Sequence, residues 1–203
     1  MQTELSSVGY SRRLYENFSN RYFRRLCRLG GFATGPRTTY FTDYSILYAS
    51  TDKNEKVSFG ALRAKPDLTI DEISPDAAAI VLIGARNSWR ELPSENASKI
   101  ANLIEEFKQQ GKVVGGICDG AYFLAAAGAL NDCHHTANSL ADIVNLPKYK
   151  NKHAFIQTSR EAVVDGKMIT ANGNAFIDFT IQMLRALGDI DEAIIAQCEQ
   201  MWR

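Results

Sequence analysis

The sequence predicts an α/β fold: a parallel sheet with helices on both faces. Three observations carry this. Ala77–Ile83 (AAAIVLI) is a continuous apolar run that stops at Gly84, which suits a strand covered on both sides. Lys112–Ile117 (KVVGGI) is a second such run. A helical stretch lies between them and another follows, and alternating strands and helices give parallel pairing.

Taken in order, Tyr44–Ala49 (YSILYA) is mostly apolar and β-favouring, so it reads as a strand. Val57–Ala64 reads as a short extended pair ending before Pro66. The buried run 77–83 comes next. Over Ser94–Gln110, the residues Ala97, Ile100, Ala101, Ile104 and Phe107 line one helical face, and Gly111 stands where the helix stops. The strand at 112–117 leads into a small-residue helix over Gly120–Ala127. Cys133–Asn138 reads as a further strand, followed by extended pieces at Ala154–Gln157 and Ala162–Val164. Asp165-Gly166 is a hairpin turn before Met168–Thr170. Helices over Ala175–Leu187 and Asp189–Trp202 close the chain.

The first 43 residues differ in texture. They carry seven Arg, no Lys and only Glu4, Glu16 and Asp43 as acids, a net charge of +4 against −4 for the other 160 residues. They show no clear strand pattern. They read as an atypical basic segment (1–43) before a well-patterned domain (44–203), first as a remodelled opening unit of that domain. A transit peptide and a basic amphipathic helix through Leu14, Phe18, Tyr22, Leu26 and Leu29 are the alternatives.

Composition narrows the function. With 203 residues there is room for one full core. Lys+Arg and Asp+Glu are 23 each, so a chain-wide basic surface for nucleic acid is not expected. No apolar run approaches the ~18 residues of a membrane span. Cys27, Cys118, Cys133 and Cys198 are scattered with no CxxC pair, which removes zinc ribbons and thioredoxin-type motifs. No metal site is expected. Few cysteines and no apolar leader point to a cytoplasmic setting.

The most informative stretch is Gly115-Gly116-Ile117-Cys118-Asp119-Gly120-Ala121. Gly116-x-Cys118-x-Gly120 has the spacing of a nucleophile elbow, in which the reactive residue sits on a sharp strand-to-helix turn. Glycines two residues before and after avoid a collision across that turn. The helix N-terminus then aims amides at the sulfur, which favours the thiolate. A small buried hydrophobe at a strand end is the alternative reading of Cys118. The turn Gly84-Ala85-Arg86-Asn87-Ser88-Trp89 would share the same sheet edge, where ligands of parallel sheets bind. Its Gly84 and Ala85 amides, with that of Asp119, are candidates for an oxyanion hole, unless the loop is an ordinary connection with Trp89 on its rim. His135 is the candidate base. On a strand only one of His134 and His135 can face the site, and His153 in the Lys-rich 148–152 stretch reads as solvated.

Together the segments AAAIVLIGARNSW, GKVVGGICDGAYFLAAAGAL, HTAN and DGKMITANGNAFIDFTIQML, in this order, resemble the DJ-1/PfpI family, part of the class I glutamine-amidotransferase-like group. The resemblance runs from Tyr44 to Leu187. It implies a flavodoxin-like three-layer sandwich, with Cys118 as the reactive cysteine and Gly84-Ala85 in place of a paired-glycine turn. His135 falls where many members carry a histidine. The family's opening strand leads to a Glu that bonds the cysteine, and Glu16 is the candidate for it. Two departures stand out: Asp119 replaces the His that follows the nucleophile in protease-like members, and Ala85 replaces the second glycine.

The resemblance implies a cysteine-dependent enzyme acting on a small molecule, an amidase or hydrolase or a glyoxalase-like lyase, with no cofactor. Proteolysis is disfavoured by Asp119. The alternatives are a redox or stress-response protein oxidised at Cys118 and a non-catalytic member. A homodimer is implied; no nucleic-acid or membrane partner is.

Overall fold

The structure, a computed structural model, describes residues 12–17, 44–57, 63–84 and 86–202; of 12–17, Arg86 and Trp202 it describes the backbone. Strands β1 (Arg12–Asn17), β2 (Tyr44–Ser50), β5 (Leu68–Thr69), β6 (Ala79–Leu82), β7 (Val113–Ile117), β8 (Val163–Asp165) and β9 (Met168–Ala171) make one sheet in the order β5-β2-β1-β6-β7-β9-β8. All neighbours run parallel except β8 against β9. A separate hairpin pairs β3 (Lys56–Val57) with β4 (Arg63–Ala64). The helices are α1 (Ser94–Gln109), α2 (Asp119–Ala127), the single turn α3 (Leu140–Ile143), α4 (Phe176–Leu187) and α5 (Glu192–Trp202).

Alternation along the strands divides the core. Ile80, Leu82 and Val114 face Ile100, Ile104 and Phe107 of α1 and Leu124 of α2. Val81, Ile83, Val113, Ile117 and Ile169 face Phe179 and Met183 of α4. Burying each large side chain contributes about 1.5–3 kcal/mol, so the sheet needs helices on both sides. Ile195 and Cys198 of α5 pack against Ile181 and Leu184 on the outer side of α4. The result is a flavodoxin-like three-layer α/β sandwich.

Two sequence expectations need correction. The opening 43 residues do contain a strand. β1 lies inside the sheet, third from one edge, paired with β2 from Arg12↔Tyr44 to Asn17↔Ala49 and with β6 from Leu14↔Ala79 to Asn17↔Leu82. A helix running through Leu14 is therefore excluded, and the positions expected to extend it lie outside the described residues. The strand was hidden because RRLYEN has four polar residues in six; its place is held by backbone ladders on two sides. Second, Cys133–Asn138 is no strand. It makes a single parallel bridge, His135↔Phe155, through His135 N–H to Ala154 O and Ile156 N–H to His135 O. Its remaining partners are side chains, so no ladder can propagate.

Candidate active site

Cys118 follows β7 directly and caps α2. Its backbone sits at φ 57, ψ −124, and it is the one non-glycine residue with positive φ among the described residues. Such a conformation costs about 1–3 kcal/mol and persists where the surroundings enforce it. Here they do: the Cys118 N–H donates to Ala171 O at the end of β9 (2.9 Å), while its carbonyl accepts the Ala121 N–H (3.1 Å). The elbow glycines are required, but not for a clash with each other across the turn. A Cβ on Gly120 would run into the Leu82 carbonyl of β6, and one on Gly116 would meet Leu124 and Ala121 of α2. The glycines let α2 lie flat against two strands.

Asn138 completes the site. Its Nδ2 donates to Cys118 Sγ at 3.3 Å, and its Oδ1 accepts the Gly173 N–H at 3.0 Å. The second bond fixes which end of the carboxamide faces the sulfur. The segment that delivers Asn138 is tied down by Thr136 N–H to Thr170 Oγ1 (2.9 Å). Beyond β9, Asn172 Nδ2 donates to Thr158 O (2.9 Å) and its Oδ1 accepts the Asn174 N–H (2.9 Å). Three loops at the carboxyl edge of the sheet therefore converge on one half-buried thiol.

The electrostatics differ from the sequence expectation. Burial pushes the Cys118 thiol above its ordinary value; the Asn138 amide pulls it back, and the Asp119 carboxylate pushes it further up. The backbone amide of Asp119 at the helix terminus also pulls it down, but burial outweighs it. Burial thus favours the thiol over the thiolate.

Asp119 points towards the loop after β6, where Arg90 Nη2 meets Oδ1 at 3.1 Å. The same guanidinium stacks on Tyr122, 4.0 Å from the ring centroid. Burial pushes the Asp119 carboxyl up, and Arg90 opposes it. Trp89 does not rest on the rim. It is buried, donates Nε1–H to Ile83 O (2.8 Å) and packs on Phe123 with ring centroids 4.7 Å apart, closing the loop after β6. Gly84 is buried at the end of β6, beside this edge; Ala85 lies outside the described residues.

The other candidates are not brought to the thiol. His135 is fully buried, and both ring nitrogens are engaged. Nδ1–H donates to Cys133 O (2.9 Å), and Nε2 accepts the Tyr149 hydroxyl (2.8 Å). Burial lowers its pKa, so it is a neutral core histidine, not a base beside Cys118. His134 is exposed and pairs with Asp165 (3.0 Å). Glu16 lies inside β1, in register with Val81, which itself pairs with Gly115, three residues before Cys118. It is thus within the strand and not in the loop beyond it; its side chain is outside the described residues. Sequence reasoning missed Asn138 and Arg90 as site residues. Asn138 stood in the HTAN segment, but its role depends on Gly173, 35 residues downstream.

Known proteins are similar to this chain in sequence and in fold. The sequence pattern of the DJ-1/PfpI family covers residues 33–186. An uncharacterized protease, YoaZ of Bacillus subtilis, is 27% identical over 144 residues, 70% of this chain and 66% of that protein, so the match spans about two thirds of the relative. A deglycase, PfpI of Pyrococcus furiosus, is 31% identical over 132 residues, 63% of this chain and 73% of its own length. In three dimensions the chain is similar to a DJ-1 superfamily protein of Agrobacterium tumefaciens, with a TM-score of 0.79, 25% identity and coverage of 94% and 97% of the two chains. The DJ-1beta fold of Drosophila melanogaster is also similar, with a TM-score of 0.73, 14% identity and coverage of 95% and 97%. With more than half of its length inside the family pattern and the strand–elbow–helix site in place, the chain belongs to the DJ-1/PfpI family.

Proposed function

We propose that this protein is a cysteine-dependent enzyme acting on a small carbonyl compound, with Cys118 as nucleophile and glyoxalase-like chemistry. The observation that supports it is the strained thiol at the open sheet edge, with the Asn138 carboxamide donating to its sulfur and the N-terminus of α2 beside it.

The protonation state selects the reaction. Amide hydrolysis by a thiol needs a base to ionise it and an acid for the departing amine. His135, the candidate for both, is spent on Cys133 and Tyr149. Addition to an aldehyde needs neither. The sulfur forms a bond to the carbonyl carbon, the C=O π pair moves to oxygen, and the thiol proton ends on that oxygen as a hemithioacetal. Asn138 Nδ2 and the Asp119 N–H stabilise the transient oxyanion, with Gly84 as a further donor at the same edge. For a 2-oxoaldehyde, the carbon-bound proton of the hemithioacetal then moves to the neighbouring carbonyl carbon and its hydroxyl proton to that carbonyl's oxygen, both carried by water at the open sheet edge, which leaves a thioester beside a new hydroxyl group. Water then releases a 2-hydroxy acid and restores the thiol. A peroxide-sensing role is less well served, because oxidants attack the thiolate, and burial disfavours it here.

A homodimer in a cytoplasmic setting completes the reading. In the described residues no helix is long and apolar enough to cross a membrane. The test is carbon-13 NMR of the protein mixed with labelled methylglyoxal. A hemithioacetal resonance present in wild type and absent from Cys118→Ala supports the assignment. The same spectrum from both proteins overturns it.

A further inference from the structure

We propose that the cleft between α1 and α2 is a binding site for a small amphipathic carboxylate, its acid group taken by Arg90 and its apolar body by the facing helices. The cleft holds about 320 Å³, within the range of small-ligand sites. Small side chains open it: Ala97 and Ala101 on α1 stand opposite Ala126 and Ala127 on α2. Leu92 and Phe123 complete the apolar wall.

The charged groups are few and of one sign. Arg90 lies on the lining, and its bond to Asp119 uses one of its five N–H donors. Stacking on Tyr122 and the charges of Asp119 and Asp142 hold the guanidinium in place. A planar fork fixed in this way is prepared for a carboxylate, with little rotamer entropy left to lose. Lys148 adds a second positive charge to the lining. Of the neutral polar groups, Ser98 donates to Ser94 O and the Trp89 indole N–H to Ile83 O, while the Ser94 and Tyr122 hydroxyls remain on the lining. An apolar cleft whose charged lining groups, Arg90 and Lys148, are both cationic selects an anion with a hydrocarbon tail over a cation or a neutral solute.

This goes beyond the proposed reaction. The site is separate from the thiol, and they meet only through the Arg90–Asp119 pair. The experiment is titration calorimetry on the full chain, with hexanoate, acetate and hexylamine as probes. Hexanoate is expected to bind saturably, with acetate and hexylamine at least about tenfold weaker. Arg90→Gln and, independently, Ala101→Phe, which fills the cleft without touching Arg90, are each expected to weaken hexanoate about tenfold. Cys118→Ser is expected to bind hexanoate as wild type does, which separates this test from that of the reaction. No saturable hexanoate binding, equal binding of hexylamine or acetate, or undiminished binding by Ala101→Phe would each overturn the proposal.

Discussion

Asn138 is the residue that holds Cys118: its carboxamide nitrogen lies 3.3 Å from the sulfur, while its oxygen is pinned by the Gly173 amide. This contact is the main hydrogen bond opposing the upward push of burial on the thiol. Replacing Asn138 with Ala is expected to raise the midpoint of Cys118 alkylation by about 0.5–1 pH unit, the equivalent of one net hydrogen bond. Asn138→Asp is expected to raise it further, since a second carboxylate would face the sulfur. Iodoacetamide rates against pH, read by peptide mass spectrometry, measure both.

The same experiment on wild type ranks the cysteines. Cys118 is expected to titrate above the ordinary thiol value. Cys133, pushed by burial and the Asp132 charge up to about 11, is expected to follow at still higher pH. A Cys118 midpoint well below ~8.5 would contradict the dominance of burial at this thiol.

The helix seat on β6 is sterically tight. Gly120→Ala is expected to destabilise the fold by about 2–4 kcal/mol, because the added methyl overlaps the Leu82 carbonyl, which is part of a paired strand and cannot yield cheaply. Gly166→Ala offers the contrast. Nothing lies within 4 Å of its added methyl, and the cost is only that of a left-handed turn, φ 58, about 1 kcal/mol. Urea unfolding of the two variants gives the comparison.

Asp119 links stability to pH. Burial raises its folded carboxyl pKa above the ordinary 3.8, so the folded state favours the protonated form. The stability this contributes is full below about pH 4 and is lost as pH rises through the folded value. Asp119→Asn is therefore expected to gain stability relative to wild type as pH climbs from about 4 to 7. Arg90→Met removes the opposing charge and is expected to cost about 1–2 kcal/mol at pH 7, less than a fully buried pair because Arg90 is 35% exposed. Denaturant midpoints across that pH range test both signs.

Much of this molecule was legible in its residues. AAAIVLI and KVVGGI gave adjacent buried strands because parallel pairing buries both faces and leaves an apolar run. The elbow spacing located Cys118 because the close approach of α2 to β6 admits no side chain at Gly120. β1 was hidden because its place inside the sheet comes from backbone pairing with two neighbours, while Arg12, Arg13, Glu16 and Asn17 break the pattern. His135 misled because a histidine near a cysteine in sequence says nothing of what its ring meets. Here the ring meets Tyr149 and a carbonyl in the core. Thiol ionisation was misjudged for a related reason. A helix terminus is visible in sequence; the depth of burial that outweighs it is not.

The central claim, that Cys118 turns over a small aldehyde, is tested most directly by incubating the protein with methylglyoxal and measuring lactate formation. Wild type is expected to catalyse it, and Cys118→Ser to fall by several powers of ten with its fold intact. Equal turnover by the two proteins, or no lactate above the uncatalysed rate from either, would contradict the account.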